Sequence, residues 1–320
     1  MALTINTNMA AISAQHSLSN ATNSLNSSIK KMTTGYKINS ASDDAAGYAV
    51  ATKMETSLNA VTVAQSNTAL GSSLLSTVEG NYGLISDHLQ RIRDLTEQAA
   101  NGTYASDSLK AIKSEISQRL SEIDRVTNST TYNGISLLNG AAGSTLPAQA
   151  GINLQVGTTS SSNSVITLDK SIFASTLSSS LTWKNIASVT NSDGFAVAGK
   201  ITANFASGTN DMFATECAGL GTGANDGTNG ATQMLAVLDY AINNVTSRTT
   251  TVGVYQNRID SASDALTVQG DNLTSSLSTV RDTDVASESS KYLSAQILQQ
   301  ASATLLTTAN QSPSIALNLI

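Results

Sequence analysis

Residues 238–280 read LDYAINNVTSRTTTVGVYQNRIDSASDALTVQGDNLTSSLSTV, and within them Leu238, Val245, Val252, Ile259, Leu266, Leu273 and Val280 recur at intervals of seven without an apolar miss. A seven-residue apolar repeat keeps one row of side chains on one side of a helix, so the stretch predicts a single long helix with a seam facing a partner. The companion row is mixed, reading Ala241, Arg248, Tyr255, Ala262, Gln269 and Ser276. At about 1.5 Å per residue the helix would span about 65 Å, longer than a compact domain is wide, so an elongated bundle is expected.

The N-terminal half supplies partners. Leu75, Tyr82 and Leu89 stand seven apart, and Val78, Ile85, Ile92 and Ala99 form the adjacent row. A shorter helix is marked by Leu109, Ile112, Ile116, Leu120 and Ile123. Breaks are expected at Asn101-Gly102 and at Tyr132-Asn133-Gly134, while Ser42, Asp43 and Asp44 offer cap oxygens ahead of the long N-terminal helix. The bundle core is therefore assigned to Leu75, Tyr82, Leu89, Leu238, Val245, Val252, Ile259, Leu266 and Leu273.

The two ends are sorted by charge. No Asp, Glu, Lys or Arg occurs in Met1–Ile29, and none occurs in Tyr292–Ile320. Solvated tails are normally charged or rich in Gly and Pro, yet these ends carry spaced apolar residues. Leu18, Leu25 and Met32 lie seven apart, and Leu298, Ala301, Leu305 and Ala309 lie three, four and four apart along a helix. Ordering either end alone costs more backbone entropy than its few large apolar side chains return, so each end is expected to be disordered until a partner covers it. Leu18, Leu25, Met32, Leu298, Ala301 and Leu305 are assigned to a polymerisation core, with folding and assembly as one event.

Composition narrows the classes. Aromatic residues make up only 4% of the chain, which favours thin helical packing over an aromatic-filled globule. A net charge of −6 leaves no basic stripe for nucleic acid. No apolar run reaches the length of a membrane span, and no positively charged leader precedes an apolar stretch, so neither membrane insertion nor a cleaved signal is expected. Cys217 is the single cysteine, which excludes an intrachain disulfide. His16 and His88 are too few and too far apart for a metal motif, and no cofactor is expected. Asp43-Asp44 could be imagined as paired catalytic carboxylates, but a helix cap needs the same residues in the same place. Gly219, Gly221 and Gly223 lack the Lys of a phosphate-binding loop and read as a flexible loop.

Between Gly140 and Gly230 the helical pattern stops, and 12 of the 21 glycines fall there. Ile152, Leu154 and Val156, then Val165, Ile166 and Leu168, read as short strands flanking Gly157–Ser164, and Trp183, Phe195, Phe205 and Phe213 could seed a small β-rich lobe.

The segments Ile5-Asn6-Thr7-Asn8, Gly35-Tyr36-Lys37-Ile38-Asn39-Ser40-Ala41, Asp43-Asp44-Ala45-Ala46-Gly47, Leu89-Gln90-Arg91-Ile92-Arg93-Asp94-Leu95 and Ala295-Gln296-Ile297-Leu298-Gln299-Gln300-Ala301, with Ala309-Asn310-Gln311, together resemble bacterial flagellin. The resemblance covers roughly residues 1–140 and 231–320. It implies a mainly α, elongated flagellin fold. Residues 1–42 with 277–320 would form a terminal coiled-coil pair, 43–177 with 229–276 a helical bundle with a β-hairpin region, and 178–228 a small variable outer lobe.

It further implies a structural, non-enzymatic subunit of an extracellular motility filament. Such a subunit is exported unfolded without a cleaved signal peptide and polymerises with its own copies. Its other partners would be an export chaperone and the filament cap and junction proteins. A hook-filament junction protein is the alternative reading. Arg91, Leu95 and Glu115 occupy positions that the flagellin-sensing Toll-like receptor of animals contacts in the family, with Asp94 where a Glu is common. Ser161, Ser162, Ser178 and Ser179 lie in Ser/Thr-rich stretches of the kind that carry O-linked sugar in some members, although ordinary surface polarity explains them equally. Cys217 and the closing Asn318-Leu319-Ile320 depart from the family pattern.

Overall fold

The computed structural model describes residues 7–101, 103–139, 151–176 and 230–317. Ser178, Ser179, Trp183, Phe195, Phe205, Phe213, Cys217 and the 219–223 glycines lie outside them, as does the expected outer lobe. The described chain is mainly α, as expected. Helix α1 spans Met9–Thr34, α2 Ala45–Ala100, α3 Ser106–Ser129, α4 Gly230–Arg281 and α5 Val285–Leu317. Two small antiparallel hairpins are formed by β1 (Thr131–Tyr132) with β2 (Ile135–Ser136), and by β3 (Ile152–Gln155) with β4 (Val165–Leu168).

The helix ends follow from local chemistry. The Asn8 side chain accepts the Ala11 amide at 3.0 Å to start α1, and Gly35 closes it at φ 75°, a left-handed conformation that costs glycine little. Asp44 Oδ1 accepts the amides of Ala46 and Gly47 at 3.1 and 3.0 Å and so caps α2. Asp43 Oδ2 accepts the Asn39 and Ser40 amides, each at 3.0 Å, and closes the turn before it. Both carboxylates are thus occupied as structural acceptors. At Asn133-Gly134 both residues have positive φ, 48° and 78°, the requirement of a two-residue primed turn joining β1 to β2.

Packing divides the chain into two compact units, residues 1–61 with 268–320 and residues 62–267. The domain boundary expected at 42/43 falls between α1 and α2 and that expected at 276/277 inside α4, whereas this division falls at 61/62 inside α2 and at 267/268 inside α4.

In the 62–267 unit, one apolar cluster runs through α2, α3, both hairpins and α4. Leu75, Tyr82, Leu89, Leu238, Val245, Val252 and Ile259 all belong to it, and Leu266 is buried beyond its end. Leu273 is only half-buried and falls in the other unit, because the heptad row of α4 outlasts the partners that cover it. The polar members of the mixed row also find roles. Arg248 Nη1 donates to the carbonyls of Ala174 and Ser175 at 2.9 and 3.3 Å, and the Tyr255 hydroxyl accepts the Asp169 amide at 3.2 Å. Buried Tyr82 donates its hydroxyl to the Ile172 carbonyl at 2.6 Å. These bonds tie the chain after β4 onto the helices, where burial without partners would be costly.

Candidate interaction surfaces

In the terminal unit α1 and α5 pair antiparallel, as three side-chain bonds at increasing separation record. Ser28 Oγ donates to Glu288 Oε1 at 2.7 Å, Gln299 Nε2 to Thr22 Oγ1 at 3.2 Å and Asn8 Nδ2 to the Ala309 carbonyl at 2.8 Å. The residues buried between the helices are small or polar: Ala21, Ser28, Glu288, Ala295 and Ser302. Leu18 and Leu25 are half-buried beside them, while Met32 is exposed. Small side chains let two helix backbones approach closely and leave an open groove of about 920 Å³, lined chiefly by serines such as Ser17, Ser24, Ser27, Ser287 and Ser294.

The large apolar side chains of α5 lie on the outside. Leu298 is 59% and Leu305 62% exposed, Ala301 is exposed, and Leu293 and Ile297 widen the same uncovered surface. The spacing that singled out Leu298, Ala301 and Leu305 therefore marks a real apolar stripe, but one that α1 does not cover. The signal for the inner seam was the second row, Glu288, Ala295, Ser302 and Ala309, again seven apart, which size alone conceals.

Glu288 is the one carboxylate of that seam, 5% exposed. Burial pushes its carboxyl up, but the Ser28 hydroxyl and Lys291, whose Nζ lies 3.2 Å from Oε2, outweigh that and hold it below the usual glutamate value. Just beyond the pair the two connecting segments are stitched together. The Lys37 amide donates to the Arg281 carbonyl and the Thr283 amide to the Gly35 carbonyl, both at 2.8 Å. The Arg281 guanidinium sits 4.2 Å over the Tyr36 ring and bonds Glu55 at 3.0 Å. Asp284 Oδ1 then accepts the Ala286 amide at 3.0 Å and starts α5.

In the 62–267 unit, α2 and α3 present a charged patch. Glu115 takes Arg91 Nε at 3.3 Å and Arg119 Nε at 3.0 Å, and Arg119 Nη1 lies 3.5 Å from His88 Nδ1. The Arg119 hydrogen bond first, and Arg91 after it, hold the Glu115 carboxyl below the usual value. Exposed pairs of this kind contribute little stability, so their effect is to orient Arg91 and Glu115 at the surface. Leu95 is not presented there. It is 2% exposed and belongs to the apolar cluster, so two of the three residues of the expected receptor patch reach solvent.

Ser161 and Ser162 are exposed in the loop between β3 and β4, where Ser161 Oγ accepts the Asn163 amide at 3.3 Å. Among the described residues no group of three or more His, Cys, Asp or Glu side chains is placed to hold a metal ion, and no described helix is long and apolar enough to cross a membrane.

Residues 5–143 match the family model for the bacterial flagellin N-terminal helical region, and residues 235–320 match that for the bacterial flagellin C-terminal helical region. Polar flagellin F of Vibrio parahaemolyticus is 30% identical over 100% of both chains, and a flagellin of Bacillus subtilis is 33% identical over 99% of both. The structure of a putative flagellar hook-associated protein from Vibrio parahaemolyticus superposes with a TM-score of 0.55 at 16% identity, covering 75% of this chain and 100% of that one, a likeness of fold.

Proposed function

The chain belongs to the bacterial flagellin family, and from that premise we propose that its uncharged ends order only when neighbouring copies cover them, so that assembly completes the fold. As a flagellin it is a structural subunit of the flagellar filament. The observation that carries the assembly reading is the exposed stripe of Leu298, Ala301 and Leu305 on a helix whose inner seam is filled by small residues. An apolar stripe left in water on an uncharged segment is stabilised by whatever buries it, and a homopolymer brings an identical copy to every such surface.

Heat-dissociated protein, seeded with filament fragments in salt, should regrow long filaments visible by electron microscopy. Leu298→Asn with Leu305→Asn should abolish regrowth, and wild-type growth by that variant would overturn the reading. A hook-filament junction protein is the weaker alternative, since full-length relatives are flagellins, and it would fail to propagate even when unmutated. Uncharged, unfolded ends also suit export through the flagellar channel without a cleaved signal, a chaperone on the C-terminal end, and growth between junction proteins and a cap. In this reading Asp43 closes a turn and Asp44 caps α2, both structural parts of the subunit.

Arg91 and Glu115 are the surface contacts for the flagellin-sensing Toll-like receptor, and Leu95 supports them from beneath. Their fixed geometry supports this: Glu115 is gripped by two arginines and so presents Arg91 pre-oriented. Arg91→Ala should lower receptor-reporter activation by about tenfold or more without moving the thermal midpoint, as loss of a well-oriented interface arginine does. Unchanged activation would exclude the patch.

A further inference from the structure

The inner seam of the α1–α5 pair contains a degeneracy. On α1 the row Ala14, Ala21, Ser28 recurs every seven residues, and on α5 so does Glu288, Ala295, Ser302, Ala309. Sliding one helix by seven residues puts alanine and serine where alanine and serine stood before, so packing alone barely distinguishes one register from the next. Leu18 and Leu25 are likewise interchangeable by such a slide. Within the helical seam Glu288 is the exception, and it acts together with the Lys37–Arg281 and Thr283–Gly35 backbone bonds that hold the same register just outside the seam. Glu288 is buried, its Oε1 accepts the Ser28 hydroxyl at 2.7 Å, and Lys291 of its own helix lies on its other oxygen. Moved by seven in one direction it would meet Ala21, which has no donor, and in the other Gly35, where α1 has already ended in a left-handed turn.

We infer that Glu288 and Ser28 form a register pin, a pair of positioning residues that selects one alignment of the two terminal helices and so fixes which outer residues a neighbouring copy meets. The inference rests on the assembly reading above. A buried carboxylate separated from its donor is strongly disfavoured, which supplies the discrimination that the small residues lack.

The test reads the register directly. In a Cys217→Ser background, Thr22→Cys with Gln299→Cys reports the native alignment, because those side chains are in contact, and Thr22→Cys with Tyr292→Cys or with Leu306→Cys reports the two alignments slipped by seven, which carry Glu288 to Ala21 and to Gly35 respectively. Each full-length chain is assembled as a minor fraction into filaments of unaltered protein, then oxidised. Unaltered protein that fails to polymerise would sink the assembly reading, independently of the pin. Given filaments, Glu288→Leu should raise the slipped-to-native ratio of intrachain disulfide by about tenfold or more, and Glu288→Gln, which still accepts from Ser28, should keep the native ratio. Exclusion of the Leu variant while the Gln variant enters would equally support the pin. An unchanged ratio in the Leu variant, or exclusion of both, would overturn it.

Discussion

Arg248 interrupts an apolar row, and its neighbours explain it: its guanidinium serves the carbonyls of Ala174 and Ser175, which close the segment after β4 onto the bundle. Arg248→Leu would improve the row on paper yet leave those acceptors without their charged donor, a loss of about 1.5–3 kcal/mol. The urea midpoint should fall, and protease cleavage near residue 175 should rise. Glu288 carries a different dependence. Its folded carboxyl titrates below the unfolded one, so the stability it contributes is fully present above the unfolded value and is lost as pH falls through the folded value. Acidifying assembled filaments should therefore increase amide exchange in α1 and α5, and Glu288→Gln, which does not titrate, should flatten the part of that rise belonging to this group. Asp43, Glu115, Glu122 and Asp169 are also held low, so only the difference between the two proteins tests Glu288.

At the level of elements, the β1–β2 turn depends on two residues with positive φ. A Cβ at Gly134 would meet nothing within 4 Å, so Gly134→Val isolates the backbone effect, and a β-branched residue held there should cost about 1–3 kcal/mol in chemical denaturation. Asn133→Gly should be tolerated. The long helices were legible because a heptad row of large residues has one physical solution, burial against a partner, and α2 and α4 bear this out from Leu75 to Ile259. α5 was legible only in part. Its large residues announced a stripe, but spacing cannot say which of two apolar faces meets α1 and which a neighbour, and close approach gave the seam to Ala295 and Ser302. Leu95 shows the opposite: family position implied a receptor contact, whereas its spacing from Ile92 and Ala99, three and four residues, is that of the core row in which it is buried.

For the molecule as a whole, the two units differ in what holds them. Every member of the apolar cluster lies between residues 62 and 267, so that unit contains its own core and needs nothing from either end. The α1–α5 pair buries small and polar side chains and leaves its large ones outside, which is the arrangement the proposed ordering on assembly calls for. Removing Met1–Ile29 should then leave a soluble chain whose bundle helices melt at an unchanged temperature but which never polymerises. Loss of the cooperative transition would refute the independence of the core. Leu75→Ala should do the reverse at low temperature. It removes a fully buried side chain at a cost of about 2–5 kcal/mol, lowering the thermal midpoint by several degrees while seeded growth continues below it. Calorimetry and electron microscopy on the two variants together separate folding from assembly, and a Leu75→Ala chain that remains folded yet cannot grow would mean the core unit also takes part in binding neighbours.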